Sequence, residues 1–578
     1  MVGKVVARIT YTAGQVSAPS HGLKREGGRS DRVRQMPKSR TGSTATRSVQ
    51  VSRRSFLSAA AVAGYWSMPR RGRGQTSFDP ASIEARRKAA WRRRPLILDD
   101  DGDLVYAEET NRGPAEFLAL RMHDCRAAGV NSLAWCMMWG VARKRKAAAR
   151  YWQTQQQGIP FQPNMPDPTP VITKFCHENE MEVCGSVRMN DCHDGYGLPF
   201  SKLIYPLKVA HPEMLIGAEA QRGAVTDGLA AAMWSGLDYA HPQVREDRLW
   251  WIENSARQYD LDGVDLNFFR MPWCFKFGEE EKNTPLMTEF IRQARRRLDT
   301  VSRQRGRTIL LGVRVPGTVE TCRRIGFDIE GWLREGLIDR LLTGGGYVCY
   351  STPAEELVKL GHRFEVPVYP CINCPANYTL GGDNLRAAAA NLWWAGADGI
   401  YLWNFQYIPA PGSRGYGRPA PEQYQRHLTE IGDPQRLKYL DKSFAVSQRV
   451  WEQYQRASAP APLPVDLGRR VGEVTRVIPI RIGDDIPAAQ RSGKLRDVVL
   501  RMQSAGSVQG DALAVKLGAA AAEITEIGSK NHCELALLPG AVVQGVNELK
   551  LEIARRGPAA RQELAVERIN IDVRYHPA

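Results

Sequence analysis

From residue 95 to residue 405, short apolar runs alternate with longer amphipathic stretches, eight times over. The runs fall at 95–99, 131–137, 182–189, 263–268, 309–315, 338–343, 366–372 and 399–405, and helical patterning occupies 114–128, 242–259, 285–304, 353–362 and 383–395. A strand followed by a helix, repeated, lays its strands parallel, because each helix carries the chain back along the sheet. Eight such units predict an α/β chain forming a (β/α)8 barrel with insertions. A doubly wound open sheet is the alternative, but no glycine-rich phosphate loop follows the first strand. Gly344-Gly345-Gly346 lacks the Lys-Ser/Thr of such a loop.

After about residue 445 the texture changes. An Ala/Pro linker at 457–464 leads into short alternating segments at 476–482, 494–502, 512–517, 533–538, 547–553 and 564–575, separated by Gly and Asp turns. That pattern predicts a C-terminal antiparallel β-sandwich. The expected organisation is therefore a leader and signal over 1–63, a basic linker over 64–93, a barrel over 94–456, the linker, and a sandwich over 465–578.

The net charge of +17 suggests an anionic partner until it is located. Residues 1–94 hold 21 Lys and Arg against four acids, which leaves 58 basic and 58 acidic residues in the rest of the chain. A neutral body predicts no nucleic-acid groove, and the lack of any run of about 18 apolar residues predicts no stable membrane insertion. Residues 1–52 read as disordered. Ser52-Arg53-Arg54-Ser55-Phe56-Leu57, followed by a small apolar run at 58–64, resembles a twin-arginine export signal, with Ala61-Val62-Ala63 as the cleavage site and Met36 as the initiator. The expected partner is the twin-arginine export machinery and the expected location periplasmic or extracellular. The 11 Cys are scattered, and the lone Cys371-Ile-Asn-Cys374 has no second pair. They read as small buried hydrophobes.

In a barrel, chemistry sits at the carboxyl ends of the strands. Here those ends carry Asp99-Asp100-Asp101-Gly102-Asp103, then Arg188-Met189-Asn190-Asp191-Cys192-His193-Asp194, then Asp265, Asn267 and Arg270, then Arg314, Asn373 and Trp403-Asn404-Phe405. Asp265 and Asn267 share strand parity, so both face the same side. Facing inward, Asp265 is a buried carboxylate suited to general acid/base work, or else an ion-pair partner of Arg188, Arg270 or Arg314. Residues 191–194 read as a turn or as a partner carboxylate. No standard metal motif is present, so no cofactor is expected, with a metal-dependent hydrolase built on residues 99–103 and 191–194 as an alternative. Trp135, Trp139, Trp234, Trp273 and Trp403 lie near strand ends, where an indole either packs in the core or stacks on a sugar ring.

Residues 94–103, Ser186-Val-Arg-Met-Asn-Asp-Cys-His-Asp194, Leu237-Asp-Tyr-Ala-His-Pro242 with Val244-Arg245, Tyr259-Asp-Leu-Asp-Gly-Val-Asp265-Leu-Asn-Phe-Phe-Arg270, Gly331-Trp332, Gly336-Leu-Ile-Asp339 and residues 395–404 occur in one order. Together they resemble a group of bacterial exported glycosyl hydrolase-like proteins, over roughly residues 94–450. The resemblance implies a TIM barrel that acts on an oligo- or polysaccharide as a glycoside hydrolase. It departs from the family in two places. The fourth strand reads Asp265-Leu-Asn267-Phe where relatives read Glu-Leu-Asp-Phe, and an amide transfers no proton. The seventh strand ends in Asn373, where the commonest retaining barrel glycosidases carry Glu. The resulting expectation is Asp265 as catalytic acid/base and Asp191 as its partner, with Arg188, Asn190, His193, Asp194, Asn267, Arg270, Trp403 and Asn404 holding the sugar. A catalytically weakened or non-catalytic glycan-binding barrel is the alternative. The sandwich segment has no Trp and a single Tyr, Tyr575. It therefore reads as a brace for the barrel.

Overall fold

The computed structural model describes residues 78–100, 113–137, 167–196, 205–222, 228–344, 353–373, 382–403, 421–448, 457–458, 460–528 and 531–577. The leader, the twin-arginine motif, Asp101, Gly102, Asp103, Trp139, Cys374, Asn404, Phe405 and the side chains of His193, Arg270 and Asn373 lie outside the described residues.

Eight parallel strands close into a barrel in sequence order: β1 Leu96–Asp100, β2 Ser132–Cys136, β3 Glu182–Arg188, β4 Gly263–Asn267, β5 Leu310–Val315, β6 Arg340–Thr343, β7 Val368–Asn373 and β8 Ile400–Trp403, with β8 pairing back to β1. Each lies within two residues of an apolar run in the sequence. β1 to β5 are buried along their whole length, as parallel strands covered on both faces must be. Outward residues such as Leu133, Trp135, Val187, Leu266 and Val313 pack under the helices, in the core that also holds Ile252, Phe290 and Trp332.

Pro242–Gln258 and Glu280–Arg305 are the long helices of the barrel wall. The continuous helix expected over 114–128 is interrupted by a π-helical turn at Ala119–His123. Ile83–Ala90, capped at its N-terminus by Ser82, delivers Arg94 to the N-terminal end of the barrel.

Two antiparallel sheets follow, as the sandwich pattern requires. One has the order β10 (Val465–Asp466), β17 (Ala565–Tyr575), β12 (Leu495–Ala505), β15 (His532–Ala536), and the other β11 (Arg476–Ile482), β16 (Gly545–Arg555), β13 (Ala512–Leu517), β14 (Glu523–Glu526). β9 (Lys442–Ala445) pairs with β17, although its sequence lies inside the stretch assigned to the barrel. Its alternation is too short to stand out beside the helices before it. Ion pairs Arg574–Asp383 and Arg481–Glu355, each 2.8 Å, tie the sheets to barrel helices. Gly483 has no room for a Cβ, which would collide with the Ala390 backbone.

Candidate functional site

The inward parity of each strand puts an unusual set of side chains inside the barrel. Branched apolar residues normally fill that space. Toward the N-terminal end, Glu182 and Arg340, the first residues of β3 and β6, meet Arg94 and Asp265. Arg94 grips Glu182 with two bonds of 2.7 and 2.6 Å, Ser132 Oγ donates to it at 2.8 Å, and Arg340 Nη1 at 2.9 Å. Arg340 also closes a two-bond fork on Asp265, Nε to Oδ1 at 2.9 Å and Nη2 to Oδ2. None of the four is more than 3% exposed. Gly312, beside Asp265 across the β4–β5 pair, leaves room for the fork, since a Cβ there would land on Asp265 Oδ1. Burial alone would raise the Glu182 carboxyl, but Arg94 and Arg340 hold it far below the ordinary range. Burial raises the Asp265 carboxyl against the opposing pull of Arg340. Asp265 and Asn267 share a face, as strand parity required, and that face is the barrel interior. The cation of Asp265 is Arg340 rather than Arg188, Arg270 or Arg314, and its position at the start of a strand gave no sign of the pairing.

Toward the carboxyl end the register sets Arg188, Asn267 and Arg314 side by side on β3, β4 and β5. Asp99 and Trp403 are register partners on β1 and β8. The Asn267 side chain is 1% exposed, and neither its Oδ1 nor its Nδ2 has a hydrogen-bond partner among the described residues. Such an amide costs roughly 1–3 kcal/mol of desolvation unless something fills its bonds. The Arg314 guanidinium stands 5.3 Å from the Tyr401 ring centroid and 5.1 Å from that of Trp403. Its Nη1 is 3.9 Å from Asp99 Oδ2, and its Nη2 donates to Cys371 Sγ at 3.7 Å. Tyr401 Oη donates to Asp99, and burial together with the Asp99 charge pushes the phenol well above its usual range, so it stays protonated. Burial pushes the Cys371 thiol up to about 11, against the pull of Arg314. The thiol is neutral at pH 7.

The chain leaving β3 is built for position. Arg188 pairs with Asp191 at 2.9 Å. Lys208 pairs with Asp194 at 2.8 Å and also donates to the Asp191 carbonyl, and Ser235 Oγ donates to Asp194 at 3.1 Å. Asn190 spends its amide on the Leu237 and Trp273 carbonyls and accepts from Leu237 N, stapling two later loops. In the first of those loops Asp238 is 2% exposed, and burial raises its carboxyl.

Of the residues expected at the site, Arg188, Asn267 and Trp403 thus share the mouth with Arg314, Asp99 and Tyr401. Asp191 lies on the chain leaving β3, held by Arg188, while Asn190 and Asp194 are spent on the loop and Asp265 lies a layer below, on Arg340. Trp135 packs against Phe117 and donates to Thr169, and Trp234 donates to the Gly195 carbonyl under the Arg222 guanidinium. Tyr401 was missed although it shares the parity of Trp403. Asp99 was weighed only as part of an acidic run. Among the described residues no group of three His, Cys, Asp or Glu is placed to hold a metal ion, and no helix is long and apolar enough to cross a membrane.

No family model and no curated protein sequence matches the chain. Among solved structures it is similar to α-L-fucosidase isoenzyme 2 from Paenibacillus thiaminolyticus, at 12% identity over 59% of this chain and 49% of that one, with a TM-score of 0.37. It is also similar to the endo-β-1,4-mannanase from Thermotoga petrophila (12% identity, 83% and 97% covered, TM-score 0.41) and to a chitinase from Bacteroides thetaiotaomicron (8%, 60% and 98%, 0.33). The chain spans about half the length of the fucosidase it matches.

Proposed function

We propose that this chain is an exported carbohydrate-active barrel that binds an oligo- or polysaccharide at the carboxyl mouth and hydrolyses a glycosidic bond there. The observation that carries the reading is Asn267. A buried amide with its acceptor and both donors unmatched suits a ligand group that both donates and accepts, and a sugar hydroxyl does both. Trp403 and Tyr401 add aromatic rings to the same end of the barrel, next to the Arg314 guanidinium.

In this reading Asp265 braces the barrel, because Arg340 occupies both of its oxygens. The acid/base role passes to Asp99, with Asp191 as the second carboxylate. One carboxyl protonates the leaving glycosidic oxygen as the C–O bond breaks, and the other receives the proton of the attacking water or bonds transiently to the sugar carbon. Export through a twin-arginine signal to the periplasm or beyond would bring the barrel to its glycan.

A second reading, a binding barrel without turnover, is favoured by one set of contacts: Asp191, Asp194 and Asp265 each face a cation. A glycan-library screen of the purified protein with product analysis separates the two. Hydrolysis predicts products that disappear in Asp99→Asn while binding persists. Binding without products at high protein concentration selects the second reading, and no binding to any glycan refutes both.

A further inference from the structure

Where the barrel meets the sheets there is a cleft of about 290 Å³. It is built from five separate stretches of chain. Trp393 and Trp394 end the helix Gly382–Trp394, Lys438 and Tyr439 come from the turn before β9, Asp484 and Asp485 follow β11, Gln544 precedes β16, and Tyr575 ends β17. The volume is at the small end of ligand pockets, which form preferentially at such junctions. It matches one or two pyranose rings and is too small for a protein segment of any length.

The floor of this cleft is fixed. Lys442, fully buried, bonds Asp484 at 2.9 Å and donates to the Leu437, Lys438 and Leu440 carbonyls. Tyr575 Oη donates to the same Asp484, and its ring lies 5.6 Å from that of Tyr439. Two cations lie against these rings, Lys442 at 5.1 Å from Tyr575 and Lys438 at 5.2 Å from Tyr439. The walls therefore hold their shape without a ligand, which lowers the ordering cost of binding one. Trp393 donates to the Ile431 carbonyl, which fixes its indole. Gln544 spends one donor on the Gly483 carbonyl and Asp485 spends Oδ1 on its helix cap.

We infer that this cleft is a second carbohydrate site, taking a neutral pyranose unit away from the barrel mouth. Several aromatic rings around a pocket rimmed by one amide and a carboxylate suit the C–H face and hydroxyl edge of a sugar. Paired charges on the floor, with Asp484 matched by Lys442, give no net field that would select an anion. The sandwich segment contributes a single aromatic residue, Tyr575, and the barrel helix and the turn before β9 supply the others. The cleft has its own lining, separate from the barrel mouth, and does not depend on turnover there.

The test uses the full chain carrying Asn267→Leu, which silences the mouth. Methyl β-D-glucopyranoside, methyl β-D-galactopyranoside, methyl α-D-mannopyranoside and N-acetylglucosamine are presented singly and followed by saturation-transfer NMR. Transfer to at least one of them is expected. It should fall at least fivefold when Ala488→Trp, which fills the cleft without deleting any contact described above, is added. Trp394→Ala checks the same wall by removal. No transfer to any of the four sugars, or transfer that Ala488→Trp and Trp394→Ala both leave unchanged, overturns the site. Ala488→Trp alone, with Asn267 intact, should leave binding at the mouth unchanged, so failure of the cleft and failure of the mouth give different patterns.

Discussion

Replacing Asp265 by Leu should destabilise the barrel by about 3–5 kcal/mol, the range for breaking a buried ion pair from one side. The four interior groups are charge-balanced: Arg94 and Arg340 against Glu182 and Asp265, none more than 3% exposed. Taking away Asp265 leaves one uncompensated cation in that space, with Arg340 reduced to a single bond to Glu182. Adding Arg340→Met restores the balance, because Glu182 keeps both bonds from Arg94 and one from Ser132. The double variant should therefore lie within about 2 kcal/mol of the parent, since apolar replacement of a whole buried pair is often neutral or better. Urea unfolding followed by tryptophan fluorescence reads the barrel separately, because no Trp lies beyond residue 464. A loss below about 1 kcal/mol for Asp265→Leu, or a double variant no more stable than the single, would refute the bracing role and return Asp265 to the list of catalytic acids.

Gly312→Ala should cost stability comparable to losing the fork, because the added methyl displaces Asp265 Oδ1 from Arg340, and the same urea titration reads it. Glu182 has a depressed folded-state pKa. Below the unfolded value of about 4.3 the unfolded chain binds the extra proton, so the parent loses stability as pH falls from there. Glu182→Gln should flatten that acid limb, and an unchanged limb counts against it. Arg53→Lys with Arg54→Lys should hold the protein in the cytoplasm, as read by fractionation of the producing cells.

The barrel was legible because parallel strands buried on both faces are written as apolar runs, and the alternating helices left one arrangement that closes. β9 was not, since four residues of alternation beside a helix carry little pattern. That Asn267 shares a face with Asp265 was legible from strand parity, while which face turns inward was not. The Arg340–Asp265 fork was not, because 75 residues separate the partners and only the register of β4, β5 and β6 sets them on either side of Gly312. Asn190 illustrates the opposite error: a polar residue just past a strand end reads as ligand-binding, yet its whole amide is consumed by the Leu237 and Trp273 backbone. Hydrogen-bond consumption of this kind depends on loops folding back, which spacing does not encode.

The most direct test of the mouth as the glycan site is Asn267→Leu, measured for both stability and binding. A buried amide waiting for a ligand predicts that the variant gains about 1–3 kcal/mol in urea unfolding. It also predicts that affinity for the glycan identified by the library screen falls at least tenfold, about 1.4 kcal/mol. Unchanged affinity, or a variant that is destabilised while still binding normally, contradicts the account.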